Sequence, residues 1–241
     1  MKNENTAVTA KLAITRTVLT DGEFNRKVEL SSGGNRRGSE DNFQNIEISD
    51  ILIENKTLSR TEFDFSAMKN CTFSGVNFEG TEFKFCDLEN VTFYRCNLHR
   101  SGFDFASMTN VKFVSCQLDS SSFDFASGNA SFEMCKIHGV EFHHAVGDFT
   151  FNSCSGEAAE FNFCPAFTIH AENCDFHRAY FLDGKITGEM KNCIFTDADF
   201  YGLDATDLAF ADCRMREINI GGSVGINIAD EKDDDDFDFD I

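Results

Sequence analysis

TEFDFSAMKNCTFSGVNFEG (residues 61–80), TEFKFCDLENVTFYRCNLHR (81–100) and SGFDFASMTNVKFVSCQLDS (101–120) are three versions of one twenty-residue line. Within each line an apolar residue returns at every fifth position: Phe63, Met68, Phe73 and Phe78, then Phe83, Leu88, Phe93 and Leu98, then Phe103, Met108, Phe113 and Leu118. A period of five is neither the 3.6 of an amphipathic helix nor the 2 of a half-buried strand. The chain must therefore turn a corner once in every five residues. In extended backbone, side chains two apart share a face, so the apolar residue and the small one two before it point inward together. Four such sides close a square coil of twenty residues, and the repeat of the line is the repeat of the coil.

Outward from these lines the rhythm starts at Phe43 and continues to Ile220. The ten cysteines all fall two residues before an apolar residue or glycine of the rhythm, at inward positions. After Phe123 the count shortens by one residue between Gly128 and Phe132, again between Gly147 and Phe151, and again between Ile186 and Met190. All three shortenings fall at the corner between the second and third sides, which supports the coil. One inward column of the first side reads Phe43, Phe63, Phe83, Phe103, Phe123, Phe142, Phe161, Phe181, Phe200 and Ile220. On the second side Gly128, Gly147, Ala166 and Ala205 suggest a locally narrowed core filled by the large rings.

The chain resembles pentapeptide-repeat proteins, whose loose pattern is Ala-Asp/Asn-Leu followed by two variable residues. Cys86-Asp87-Leu88, Cys96-Asn97-Leu98, Cys174-Asp175-Phe176 and Ala198-Asp199-Phe200 carry the match. The resemblance implies an all-β fold, a right-handed quadrilateral parallel β-helix of about nine coils stacked ~4.8 Å apart. It implies no active site. The organisation that follows is a non-repeat segment over residues 1–42, acting as cap or flexible joint, a β-helix over 43–222, and an acidic tail over 223–241 whose composition predicts disorder.

Seven thiols, Cys96, Cys116, Cys135, Cys154, Cys174, Cys193 and Cys213, stack on the fourth side. Parallel Cβ vectors disfavour disulfides between them, and no zinc-type spacing occurs, so they read as reduced packing residues with no metal and no cofactor. Ten thiols without a signal-peptide pattern point to a reducing, cytoplasmic compartment; the alternative is an exported bacterial effector with a polar amino-terminal signal. No apolar run is long enough to span a membrane.

Function has to lie on outward columns. Phe65, Phe85, Phe105 and Phe125 recur at one outward corner of the first side, with His144 and Phe163 continuing the column. A contiguous apolar stripe of this kind marks an interaction surface, unless the amino-terminal segment with Leu12, Ile14 and Val18 folds over it. Beside it stand Glu62, Asp64, Glu82, Asp104, Asp124, Glu141 and Glu160, which make this the most acidic side. On the fourth side Glu79, His99, Asp119, His138, Glu157 and His177 alternate acid with imidazole and read as a solvated charge ladder. Asp50, Asn70, Asn90 and Asn110 form a turn column, because Asn and Asp tolerate turn conformations and stacked amides bond one another.

The formal net charge is −20, and direct nucleic-acid binding is therefore not expected. No recurring group of nucleophile, base and orienting residue appears, and an enzyme is disfavoured. Some pentapeptide-repeat proteins resemble duplex DNA in width and charge and bind type II topoisomerases, protecting gyrase from quinolones. The resemblance to this subgroup implies a DNA-mimicking rod that binds DNA gyrase or topoisomerase IV, with antibiotic resistance as the outcome. The chain departs from the subgroup in having no loop between coils and no apolar carboxy-terminal pairing segment, which leaves a homodimer open. The alternative is an interaction scaffold or effector that docks another protein through the Phe column or the acidic tail.

Overall fold

The computed structural model describes residues 16–31 and 42–226. The acidic residues of the tail, Asp230 onward, and Leu12 and Ile14 lie outside the described residues. From residue 42 the chain is a parallel β-solenoid. Successive coils bridge in parallel register down the first side, from Asn42 to Glu62, Glu82, Gly102, Ser122, Glu141, Glu160, Tyr180, Asp199 and Asn219.

What turns each corner is one residue in the left-handed conformation. From Asn45 to Phe125 every fifth residue has φ between 51° and 65°. Left-handed backbone is cheap for Gly and tolerable for Asn and Asp, and much of the column Asp50, Asn70, Asn90, Asn110 follows from that. Each amide there also donates to the coil below, Asn70 to Asp50 at 2.9 Å, Asn90 to Asn70 at 3.0 Å and Asn110 to Asn90 at 2.9 Å.

After Phe125 the corner between the second and third sides drops out of the left-handed series, whereas the other three continue. The residue lost from the sequence is the turn residue. Without it the chain runs straight through the former corner, giving the uninterrupted strands Ser127–Glu133, Val146–Asn152, Ala166–Glu172 and Ile186–Lys191. At the transition Met108 pairs with Gly128 and Val111 with Ala130, so two residues oppose one.

Two expectations are corrected here. Ala166 is exposed, and the inward residue of that coil is Phe167, fully buried and in register with Gly147 and Ile186. An extra residue at Pro165–Ala166 offsets a fourth shortening, from Phe167 to Ala171, so the two cancel in the count and hide each other. The glycines, in turn, do not mark a narrowed core. Gly128, Gly147 and Gly188 have φ of 105°, 136° and 113°, and a Cβ on any of them would lie about 2 Å from a carbonyl oxygen of the previous coil. They are glycines because the backbones approach there.

The core is two orthogonal sets of rings. The first-side column stacks from Phe43 to Phe200 with centroids 4.7–5.2 Å apart. The third-side column Phe73, Phe93, Phe113, Phe132 and Phe151 stacks likewise at 4.8–5.4 Å. The two columns meet edge to face, as at Phe93 with Phe103, 5.9 Å apart and inclined by 84°, the geometry that ring quadrupoles favour.

The small inward residues also have a polar task. The Cys86 thiol donates to the carbonyl of Phe63 at 3.1 Å, Cys96 to Phe73 and Cys116 to Phe93 at 3.3 Å, and the Ser66 hydroxyl does the same for Phe43 at 2.8 Å. Each satisfies a buried carbonyl beside the ring below it. All ten cysteines are free thiols, and burial pushes Cys86 and Cys164 up to about 12.

The amino-terminal end of the stack is closed by a short strand, β1 (Thr17–Val18), paired with β2 (Ile46–Ser49), and by a helix, α1 (Asp21–Ser31). Thr20 and Glu23 form a capping box: the Glu23 carboxylate accepts from the Thr20 amide at 2.9 Å and from its hydroxyl at 2.7 Å. Phe24 and Val28 are fully buried on the first coil, with Phe24 edge-on to Phe43 at 5.5 Å. Val18, expected to help cover the Phe column, instead sits at this end and is 70% exposed. Among the described residues no helix is long and apolar enough to cross a membrane.

Candidate protein-binding surface on the first side

The first side presents three outward columns because each five-residue unit points two residues inward and three out. The corner column begins at Asn45 and rises through Phe65, Phe85, Phe105, Phe125, His144 and Phe163, all with left-handed φ of 54° to 62°. Their rings lie flat on one another, with centroids 4.9, 4.8 and 4.8 Å apart over the first four, then 4.7 Å from Phe125 to His144 and 5.6 Å from His144 to Phe163. The five phenylalanines remain 37–47% exposed.

This is a costly place for the residue. Left-handed backbone costs an ordinary L-residue about 1–2 kcal/mol, and a bulky ring has no polar group with which to bond the turn locally. Stacking is worth about 0.5–1.5 kcal/mol per pair and offsets the strain without exceeding it by much. The neighbouring corner solves the same backbone problem with Asp50, Asn70, Asn90 and Asn110. Folding alone thus gives little reason for five phenylalanines in one exposed file, and contact with another surface gives one.

The acidic residues divide between the other two columns. Glu62, Glu82, Glu141 and Glu160 occupy the bridging column, with Gly102 and Ser122 between them. Asp64, Asp104 and Asp124 occupy the next, with Lys84 and His143 in the same file. Lys84 lies 3.2 Å from Glu82 and 3.7 Å from Asp104. The Asp64 carboxylate accepts from the Lys84 amide at 3.0 Å and Asp124 from the His143 amide at 3.0 Å, which anchors both to the coil above. His143 bridges two carboxylates, with Nε2 2.9 Å from Glu160 and Nδ1 3.5 Å from Asp124. Asp124, Glu141 and His143 bring one candidate ligand atom each within 4.8 Å of the others. Sequence columns read singly missed Lys84, His143 and the Ser122 hydroxyl that donates to Asp104; a carboxylate about one coil away, 17 to 20 residues in sequence, was the available signal.

The carboxylates are crowded. Partial burial, with Glu82 and Glu62 nearby, raises the pKa of Asp64, and partial burial together with Asp124, Glu160 and Asp104 raises that of Glu141. Both groups hold a proton more tightly than a free carboxylate does, because partial burial disfavours the charged form and ionised neighbours add repulsion.

Beside the upper end of the Phe column the second side has a shallow groove lined in part by Gly128, Val146, Gly147, Pro165 and Ala166. On the fourth side the alternating column is less regular than its sequence. His138 lies 3.5 Å from Asp119, but Glu157 pairs with Arg178 at 3.5 Å and His177 is 3.9 Å from Asp197.

Residues 46–123 match the family described as pentapeptide repeat region. That match covers about a third of the chain. Beyond residue 123 the coil keeps the same parallel register, with the straightened corner already described. No curated protein matches the chain. Among solved structures the chain is similar to HetL, a pentapeptide-repeat protein involved in heterocyst differentiation regulation from the cyanobacterium Nostoc, at 14% identity and a TM-score of 0.46, over 85% of this chain and 94% of that one. It is similar also to QnrB1, a plasmid-mediated fluoroquinolone resistance protein, at 15% identity and a TM-score of 0.31, over 72% of this chain and 93% of that one. A third likeness, to Rfr23 from the cyanobacterium Cyanothece, has 8% identity and a TM-score of 0.16, over 74% of this chain and 86% of that one.

Proposed function

We propose that this pentapeptide-repeat protein is a non-catalytic rod that binds a protein partner through its first side, and that the partner is the DNA-binding surface of a type II topoisomerase. The observation that carries the reading is the juxtaposition of two acidic columns with a file of exposed rings on one face. Glu62, Asp64, Glu82, Asp104, Asp124, Glu141 and Glu160 stand against the single lysine Lys84. Across five coil rises of ~4.8 Å that is about one net negative charge per 4 Å, close to the one per ~3.4 Å of a single DNA strand. A surface built to neutralise phosphates meets a similar charge density here. The like-charged neighbours of Asp64 and Glu141 support the same reading, because a cationic partner relieves their mutual repulsion, which adds to burial in raising both pKa values.

The test is a DNA gyrase supercoiling assay with the purified protein titrated from nanomolar to tens of micromolar. The reading expects inhibition that excess DNA or added salt relieves and that Asp104→Asn with Asp124→Asn weakens. No inhibition across that range, against gyrase or topoisomerase IV, overturns the topoisomerase assignment. The strained, exposed Phe column favours a second reading, docking on a partner that does not handle DNA. That reading expects Phe105→Asn with Phe125→Asn to abolish binding while the Asp changes leave it intact.

A further inference from the structure

We propose that Asp124, Glu141 and His143 form a site for one divalent transition-metal ion of the zinc type, held by two carboxylates and an imidazole, that ties two adjacent coils together. This goes beyond the partner reading and does not rest on it.

The ligands come from neighbouring coils. Asp124 stands on one coil, Glu141 and His143 on the next, and one ligand atom from each lies within 4.8 Å of the others. An ion can reach them, since the Asp124 and His143 side chains are 28% and 26% exposed and Glu141 is exposed. An imidazole beside carboxylates suits zinc and its neighbours in the first transition row, whereas calcium and magnesium take oxygen ligands.

The orientation of the ring sets this group apart from the other carboxylates of the face. Nε2 of His143 lies 2.9 Å from Glu160. Asn162, 5% exposed, has its amide nitrogen 3.0 Å from the same Glu160 oxygen and 3.3 Å from Nε2. The carboxylate is the stronger acceptor of the two, so Nε2 gives its proton to the bond with Glu160 and Asn162 steadies that carboxylate. Nδ1 then keeps a bare lone pair, 3.5 Å from Asp124, too far for a hydrogen bond between them. Glu141, for its part, accepts no hydrogen bond from a side chain among the described residues. A lone pair and two carboxylates thus converge without a donor, and a cation completes the set. A ligating imidazole whose other nitrogen donates to a carboxylate is the usual support of a metal site.

Elsewhere on the face the chain fills the equivalent place with a cation of its own. Three coils nearer the amino terminus, Asp64, Glu82 and Lys84 occupy the same columns. The Lys84 amide donates to Asp64 as the His143 amide donates to Asp124, each at 3.0 Å. There the ammonium of Lys84 lies 3.2 Å from Glu82. At the upper position an imidazole replaces it, so a built-in charge has been exchanged for a ligand.

Cobalt(II) is the probe, because its spectrum separates nitrogen and oxygen ligands from thiolate. The full-length protein, stripped by a chelator, is expected to take up one Co2+ per chain with weak visible bands and no intense near-ultraviolet thiolate absorption, and its thermal midpoint rises on loading. His143→Gln and Asp124→Asn, outward changes that circular dichroism should show folded, abolish the uptake. Glu160→Gln, a change at the carboxylate that orients the ring, weakens it about 10–100-fold. Excess Ca2+ or Mg2+ leaves the bound Co2+ in place. Uptake that survives His143→Gln, a thiolate band, or displacement by Ca2+ overturns the proposal, and so does the absence of uptake at millimolar Co2+. The supercoiling assay, run without Co2+, decides the partner reading separately.

Discussion

Phe103 and Phe105 are two residues apart on the same side of the coil, yet truncating them should have opposite weight. The Phe103 ring is fully buried. It stacks on Phe83 and Phe123 at 4.8 Å and meets Phe93 and Phe113 edge-on at 5.9 and 5.5 Å. Phe103→Ala removes a core ring and leaves a cavity that two rigid stacks cannot close, placing it at the upper end of the usual cost, about 4–5 kcal/mol. Phe105 is 47% exposed and left-handed. Phe105→Asn gives up half a buried ring and two stacked contacts, about 2 kcal/mol together, and recovers about 1 kcal/mol of backbone strain. The net cost is thus about 1 kcal/mol. The assay is urea unfolding of each variant followed by far-ultraviolet circular dichroism, read from midpoints at constant slope. If Phe103→Ala costs less than about 1 kcal/mol, or Phe105→Asn costs as much as Phe103→Ala, then inward and outward columns are misassigned and the argument that the Phe column serves contact rather than folding fails.

Gly147→Ala should cost several kcal/mol, roughly 3 or more, because its φ of 136° is strained for any other residue and the new methyl would stand 1.9 Å from the Gly128 carbonyl oxygen; a thermal midpoint within a degree or two of the parent's refutes the close approach. Glu141→Gln should stabilise the protein at neutral pH. The folded state raises the pKa of this carboxyl, so ionisation penalises folding above that pKa and the penalty disappears as pH falls through it; thermal scans from neutral to acidic pH should show the gain shrinking to nothing, and no gain at neutrality refutes the crowding. Cys86 and Cys164, pushed up to about 12 by burial, should react with a thiol reagent no faster than the coil opens, and rapid labelling of either in native buffer contradicts the inward placement. Thr20→Ala should loosen α1 by about 1 kcal/mol through loss of the capping box, seen as faster amide exchange around Phe24 while the middle coils are unchanged.

The period of five was legible because every side obeys the same inward rule, and a corner every fifth residue is a local property of the chain. Phe63, Phe83 and Phe103 announce the register without any partner in view. The corner Asn residues were legible for the same reason, since left-handed backbone selects side chains residue by residue. Phe167 was not. An added residue at Pro165–Ala166 and a lost one before Ala171 cancel in the count, and only the pairing of Phe167 with Gly147 and Ile186 tells them apart. The acidic residues of the first side were legible as a set but not as an arrangement, because Lys84 and His143 enter through neighbours one coil away.

By itself, then, the sequence determined a four-sided coil, its inward and outward positions and the side that carries rings and acids, all consequences of a periodicity shorter than one coil. What the tertiary structure alone decided is everything that depends on which coil lies against which. The glycines of the second side answer to a carbonyl one coil away, the amino-terminal end is closed by a helix whose Phe24 has meaning only against Phe43, and Arg16 finds the foot of the Phe column through Phe65 and Asp87, 49 and 71 residues distant. Those contacts are set by stacking along the axis, a direction in which the chain has no local memory.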